Sequence, residues 1–152
     1  MIEVILKKGK EKAALQRHPW IFSGAIDKVK GSPLNGEVVM VRAADQEFLA
    51  YGYYNAQSRV AVRLLEWDES NTIDKAWYQQ KLQHAIAARQ HVLLDQQTNT
   101  CRLVFSEADF LPGLIVDQYA DFLSLQILSA GMETIKQDII DILKEELKPA
   151  GI

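Results

Sequence analysis

The sequence predicts an α+β chain in two parts, a strand-rich first half and a second half that mixes strands with helices. Three observations predict it. Short runs rich in Val, Leu, Tyr and Phe recur up to residue 65, separated by turn-forming residues. Beyond residue 72 the apolar positions first change to a helical period. Residues 66–71 between them are charged and turn-forming, so the boundary falls there and 1–70 and 72–152 read as two domains.

The elements follow in order. Residues 2–6 alternate into a strand that Gly9 ends. Residues 11–17 have room for about two helical turns before Pro19, because the residue before a proline disfavours helical backbone. A turn cluster spans 31–36. Strands are expected over 37–42, 48–54 and 59–65, with turns at 44–46 and 55–57. In the last strand Val60, Val62 and Leu64 share one face, and Arg59, Ala61 and Arg63 share the other.

In the second half Asn71 or Thr72 is expected to cap a helix, with Asp74 in its first turn. Tyr78, Leu82, Ala85, Ile86, Val92 and Leu93 keep its period, and 95–100 is a polar loop. Strands are expected over 102–105, 114–117 and 122–128, the last with Leu123, Leu125 and Ile127 opposing Ser124 and Gln126. A helix from about Met132 turns Ile135, Ile139, Ile142 and Leu143 inward, carries Lys144 and Lys148 near its end, and stops at Pro149. The chain ends three residues later, where a further strand is due, so it is expected to be part of a longer protein.

Composition narrows the function. With 152 residues, 48% hydrophobic and 24% charged, the chain is of the globular class. No apolar run approaches the ~18 residues of a membrane helix, and the N-terminus lacks the layout of a secretory signal. A cytoplasmic location is the expectation. Cys101 is the only cysteine, which excludes an intrachain disulfide and a cysteine-rich zinc site. Net charge is −3, which argues against a general polyanion binder. The distribution is uneven, however. Residues 1–30 hold seven Lys or Arg against three acids, whereas 76–152 hold six against ten. A basic N-terminal end is thus set to meet something anionic, unless it is simply a solvated face.

The densest feature is Arg17-His18-Pro19-Trp20-Ile21-Phe22-Ser23-Gly24-Ala25-Ile26. It joins cations for phosphate, rings for bases and a flexible Gly within ten residues. Lys7, Lys8, Lys10, Lys12, Arg17, His18 and Arg63 are the candidate nucleic-acid contacts. Trp20 and Phe22, two apart in an extended stretch, face the same way. Two uses are open to them. They fill the interior of a small barrel, which is the expectation, or they form a stacking platform for bases.

Catalytic signals are weak. No G-x-G-x-x-G or Walker A run occurs. Cys101 has no recognisable base or cationic partner beyond Arg102, and reads as structural. His18, His84 and His91 lack metal-ligand spacing, so no metal is expected. Asp138, Asp141, Glu145 and Glu146 read as a solvated helix face.

Three segments together point to a family. The run 17–26 is the first. Gly52-Tyr53-Tyr54-Asn55-Ala56-Gln57-Ser58-Arg59-Val60-Ala61-Val62-Arg63 is the second. Ser106-Glu107-Ala108-Asp109-Phe110-Leu111-Pro112-Gly113-Leu114-Ile115-Val116-Asp117, running on to 126–131, is the third. Their order and spacing resemble the N-terminal part of the PUA-domain ribosomal RNA large-subunit methyltransferases. These are cytosine-C5 enzymes dependent on S-adenosylmethionine.

The resemblance implies an RNA-binding PUA-like β pseudo-barrel over 1–70. It implies an incomplete strand-rich α+β central domain from 72. It also implies a groove between the first helix and the next strand, where Ser23 and Gly24 offer backbone donors to RNA. The catalytic domain would lie outside this chain. S-adenosylmethionine then belongs to the full-length family member, no cofactor to this part, and the part alone is expected to be inactive. The implied partner is 23S-type large-subunit RNA, with no membrane and no metal; a homodimer is open. Two departures stand out. Ala56 replaces a common Pro, loosening a turn, and Phe110 replaces a common Gly, which puts the turn before Leu111 in doubt. The competing reading is a non-catalytic protein-interaction module that uses the acidic second half as its contact surface. A complete small enzyme is disfavoured, because no convergent catalytic group is visible.

Overall fold

A computed structural model describes residues 2–93 and 98–152, with 90–93 as backbone only. The inward placement expected of Val92 and Leu93, the side chain of His91 and the start of the 95–100 loop lie outside the described residues. The chain divides into two compact units at Asn71/Thr72.

The first unit is mainly sheet. Its strands are β1 (Glu3–Leu6), β2 (Trp20–Phe22), β3 (Ile26–Lys30), β4 (Val38–Arg42), β5 (Phe48–Tyr54) and β6 (Val60–Glu66), with a short helix α1 (Lys12–Leu15). They form one sheet in the order β2-β6-β5-β4-β1-β3. All pairings are antiparallel except β1 with β4. The edge strands β2 and β3 are joined only by Ser23–Ala25, a single 3-10 turn. Four Cα steps reach at most ~15 Å, whereas six strands laid flat would separate the edges by about 24 Å. The sheet therefore has to curl, which is the strand-rich pseudo-barrel the sequence predicts.

Backbone bonds from Lys7 N–H to the Ala25 carbonyl and from Ser23 N–H to the Arg59 carbonyl tie the joining turn to both sides. Val4, Leu6, Ile21, Val39, Val41, Leu49, Val62 and Leu64 fill the interior, and Ala14 of α1 packs with them. The predicted split in β6 holds, with Val62 and Leu64 inside and Arg63 half-buried. At Gly52 of β5 a Cβ would lie 2.6 Å from the Arg63 carbonyl oxygen, so only glycine lets β6 approach.

Several expectations need correction. The helix expected over 11–17 shrinks to Lys12–Leu15, because Arg17 turns left-handed at φ 58 and ends it. Strand β3 was not anticipated. Its exposed Asp27, Lys28 and Lys30 hide the pattern, and pairing to β1 creates it. The turn at Ala56 is not loosened by the lack of a proline. Its N–H donates to Asn35 Oδ1 at 2.9 Å, a bond no proline can make.

The second unit has α2 (Lys75–Leu93), β7 (Thr100–Phe105), β8 (Leu114–Tyr119), β9 (Phe122–Ile127), α3 (Ala130–Thr134) and α4 (Lys136–Leu147). The strands form an antiparallel sheet in chain order, and α2 packs on β7 and on α4. Leu82, Leu103, Val116, Ile139 and Ile142 are fully buried. Asp74, not Asn71 or Thr72, caps α2, its Oδ1 accepting from Trp77 N–H at 2.9 Å. The last helix is broken at Ile135, so α3 starts separately, capped by Ser129 Oγ from Met132 N–H. Gly151 bridges in parallel to Phe122.

The third sequence segment is structural throughout. Asp109 takes a two-pronged ion pair from Arg89, at 2.6 and 2.8 Å, and the N–H of Phe105 at 2.6 Å. Ser106 Oγ accepts from Gly113 N–H at 2.8 Å, and Ser129 Oγ donates to the Pro112 carbonyl at 3.1 Å. Gly113 lies at φ 91, where a Cβ would collide with the Ser129 hydroxyl. Phe110 holds the left-handed turn itself, at φ 57.

Candidate nucleic-acid interface

The sequence of β2 sets the interface. Three residues in a strand alternate sides, and Ile21 points inward with 1% of its surface exposed. Trp20 and Phe22 must then point outward, and they are 37% and 50% exposed. Their expected role as barrel filling is therefore wrong. One medium-sized residue is enough for the core here, and the pleat puts the two larger rings on the surface.

A row of rings results. His18 meets Trp20 edge to face at 5.8 Å between centroids, and Trp20 meets Phe22 likewise at 6.5 Å. His18 Nδ1 accepts from the Trp20 N–H at 3.2 Å, which fixes the imidazole beside the strand. Arg63 is the register partner of both Trp20 and Tyr53, so its side chain shares one cross-strand row with them. Its guanidinium lies 5.8 Å from the centroid of the Trp20 ring, in cation–π range.

Arg17 stands at the end of α1. Its N–H donates to the Ala14 carbonyl, and the His18 N–H donates to that of Ala13. This is the helix-ending motif whose left-handed position usually holds glycine. An arginine here accepts backbone strain of about 1–2 kcal/mol. What it gains is a guanidinium on the surface, 6.0 Å over the Trp67 ring.

Beyond Phe22 the strip runs onto Ser23 and Gly24, both exposed, but the Ser23 N–H already donates to the Arg59 carbonyl and is not the backbone donor expected for RNA. A Cβ on Gly24 would meet nothing within 4 Å, so the space above this turn is open. Lys7 closes the strip, its Nζ donating to the Gly24 carbonyl at 2.9 Å. Lys7 and Lys8, with Lys28 of β3, line an open groove of about 290 Å³ that Asp27 also borders. Lys8 reaches a second groove of about 300 Å³ beside Glu11 and Asp45. Lys10 and Lys12 are exposed in the turn before α1 and at its first residue, outside the ring row.

The other cations of β3 and β4 are taken. Lys30 and Arg42 both pair with Glu3, at 2.8 and 2.9 Å, and Arg42 also with Glu69. Lys28 and Arg59 are exposed and were not among the candidates. A signal for Arg59 was present in the alternation that puts it on the side of Arg63. Lys28 gave none without knowledge of β3.

Cys101 is half-buried in β7, with its thiol 3.6 Å from the Arg102 carbonyl. Among the described residues no group of three His, Cys, Asp or Glu is placed to hold a metal ion. A donor site of the kind S-adenosylmethionine would need, a Gly-rich turn leading from a parallel strand to a helix, does not fit these residues. The parallel pair β1–β4 leads into no such turn, and the chain has no G-x-G-x-x-G run.

Residues 4–67, which contain the whole ring row, match the family of the PUA-like domain. The chain is 40% identical to ribosomal RNA large subunit methyltransferase I of Aeromonas salmonicida over 141 residues, 93% of this chain and 36% of that protein. It is 35% identical to the protein of the same name from Shewanella amazonensis over 151 residues, 99% of this chain and 38% of that one. A proposed SAM-dependent methyltransferase of known structure from Streptococcus mutans superposes with a TM-score of 0.82 at 18% identity, over 95% of this chain and 38% of that chain. This last likeness is one of fold. Residues 4–67 thus resemble a PUA-like domain, and the chain is similar, over nearly all of its own length, to little more than a third of the ribosomal RNA methyltransferases it matches.

Proposed function

We propose that this chain is the RNA-binding, substrate-positioning part of an S-adenosylmethionine-dependent ribosomal RNA methyltransferase, one that acts on cytosine C5 of 23S-type RNA. One observation carries the reading. The PUA-like unit gathers Lys7, Arg17, His18, Trp20 and Arg63 on the outside of its curled sheet, and puts an arginine where backbone geometry prefers glycine. Exposed cations beside exposed rings support a role in binding nucleic acid. The methyl transfer itself is assigned to residues beyond this chain, because those present do not suit a donor site.

The test is binding of large-subunit ribosomal RNA segments across a salt series. Affinity should fall linearly on logarithmic axes, and each lost phosphate contact should flatten the slope by about 0.7–0.9. Lys8→Glu should weaken binding and reduce the slope. Arg17→Gly should weaken binding without lowering thermal stability, since it relieves the left-handed backbone. Salt-independent affinity, unmoved by either change, would rule the interface out. Saturable heat on titration with S-adenosylmethionine would overturn the assignment of the chemistry to a missing part.

A further inference from the structure

We infer that β2 receives one unstacked base of RNA in the corner between Trp20 and Phe22, and that this unit therefore prefers RNA with an unpaired nucleotide over a continuous duplex. The inference rests on the RNA-binding reading and makes it more specific.

The ring geometry carries it. Trp20 is perpendicular to both neighbours, at 83° to His18 and 90° to Phe22. Three coplanar rings would extend a stack of bases, but alternating perpendicular rings cannot. A base lying parallel to the indole meets Phe22 edge-on, the other favoured aromatic arrangement. The corner therefore suits one base, held by a face on one side and an edge on the other.

Such a base has to be free of its own neighbours. Inside a duplex both faces of each base are covered, and side chains stack only on bases that have left the helix. The indole and phenyl rings are exposed enough to receive one, and Ile21 between them fixes both by its burial. Arg63, 5.8 Å from the indole centroid, adds charge to the stack from the β6 side.

The nucleotide's phosphate has cations at hand. The turn after Phe22 carries the Lys7 ammonium at the Gly24 carbonyl. The Arg59 backbone lies at the same end of the strip, its carbonyl accepting the Ser23 N–H, and its side chain is exposed. Stacking on a ring face reads no base edge, so stacking area and not base identity sets the preference.

The experiment uses the 152-residue chain and three RNA hairpins: fully paired, with a one-nucleotide bulge, and with the same bulge made abasic. The bulged hairpin should bind more tightly than the paired one by about 5- to 150-fold, the range expected for one base on an aromatic side chain. The abasic bulge should bind like the paired hairpin. Trp20→Ala should erase the advantage, so that the variant binds the bulged and the paired hairpin alike. Trp20→Phe should keep part of it. Circular dichroism checks that both variants fold. Equal affinity for bulged and paired hairpins, or an equal loss on both with Trp20→Ala, would overturn the base-holding corner while the RNA-binding reading stands. Absence of salt-dependent binding to all three would overturn both.

Discussion

The indole N–H of Trp67 donates to the carbonyl oxygen of Ala14 at 2.8 Å, joining residues 53 apart in sequence. The same carbonyl accepts the Arg17 N–H, and the Arg17 guanidinium lies over the Trp67 ring. Trp67 thus holds the end of α1 from the far end of the PUA-like unit. The position of Arg17 and His18 depends on a residue that does not itself belong to the ring row.

Replacing Trp67 by Phe keeps most of the apolar packing and removes the donor. The expected loss is about 1 kcal/mol, the usual net worth of one such bond. For a unit of this size that is roughly 4–8 °C in melting temperature. RNA affinity should fall with it, because the end of α1 loses its anchor. A thermal melt and one binding isotherm check both. An unchanged melting temperature would show that Trp67 holds α1 by packing alone.

Phe110 makes a second prediction, about backbone and not about contacts. Its φ of 57 is left-handed, its ring is 41% exposed, and Lys81 approaches the ring at 5.9 Å. Phe110→Gly and Phe110→Ala lose the same ring. The alanine variant keeps a Cβ in the left-handed region, at about 1–2 kcal/mol. Glycine has no Cβ but is freer when unfolded, which returns roughly 0.5–1 kcal/mol. The glycine variant should therefore be the more stable of the two by up to about 1.5 kcal/mol, read as a higher urea midpoint. A higher midpoint for the alanine variant would mean the turn imposes no strain.

How far the sequence revealed this molecule depends on how local each signal was. The recurrence of Val, Leu, Tyr and Phe between turn residues identified β4, β5 and β6, because those strands are paired on both sides and bury their apolar residues. It missed β3, an edge strand whose pairing to β1 comes from the tertiary fold. It misplaced Trp20 and Phe22 for a related reason. Ring size suggests burial, but the pleat decides direction, and Ile21 took the inward place. Proline and glycine reasoning marked positions 56 and 110 correctly as unusual. Only the structure shows how each is accommodated, by the Asn35 side chain and by a left-handed phenylalanine.

Acid should destabilise the PUA-like unit through Glu3. Its carboxylate accepts from the Lys30 ammonium at 2.8 Å and from Arg42 Nε at 2.9 Å. The bond from Lys30, then that from Arg42, holds its pKa below the 4.5 of an ordinary glutamate. A carboxyl whose pKa is lowered by folding adds stability in full above its unfolded value. That stability is lost as pH falls through the lower, folded value. Melting temperature should therefore be insensitive to Glu3 from pH 7 down to about 5 and should decline below that. Glu3→Gln removes the charge that Lys30 and Arg42 bind. The variant should be less stable at pH 7 and should decline less steeply in acid. Some decline should persist, because Asp68 is also held low by Ser70. Melts of both proteins at half-unit steps from pH 3 to 7 make the comparison. Parallel curves would show that the strand ends carrying Lys30 and Arg42 are fixed by backbone pairing, with the carboxylate between them a bystander.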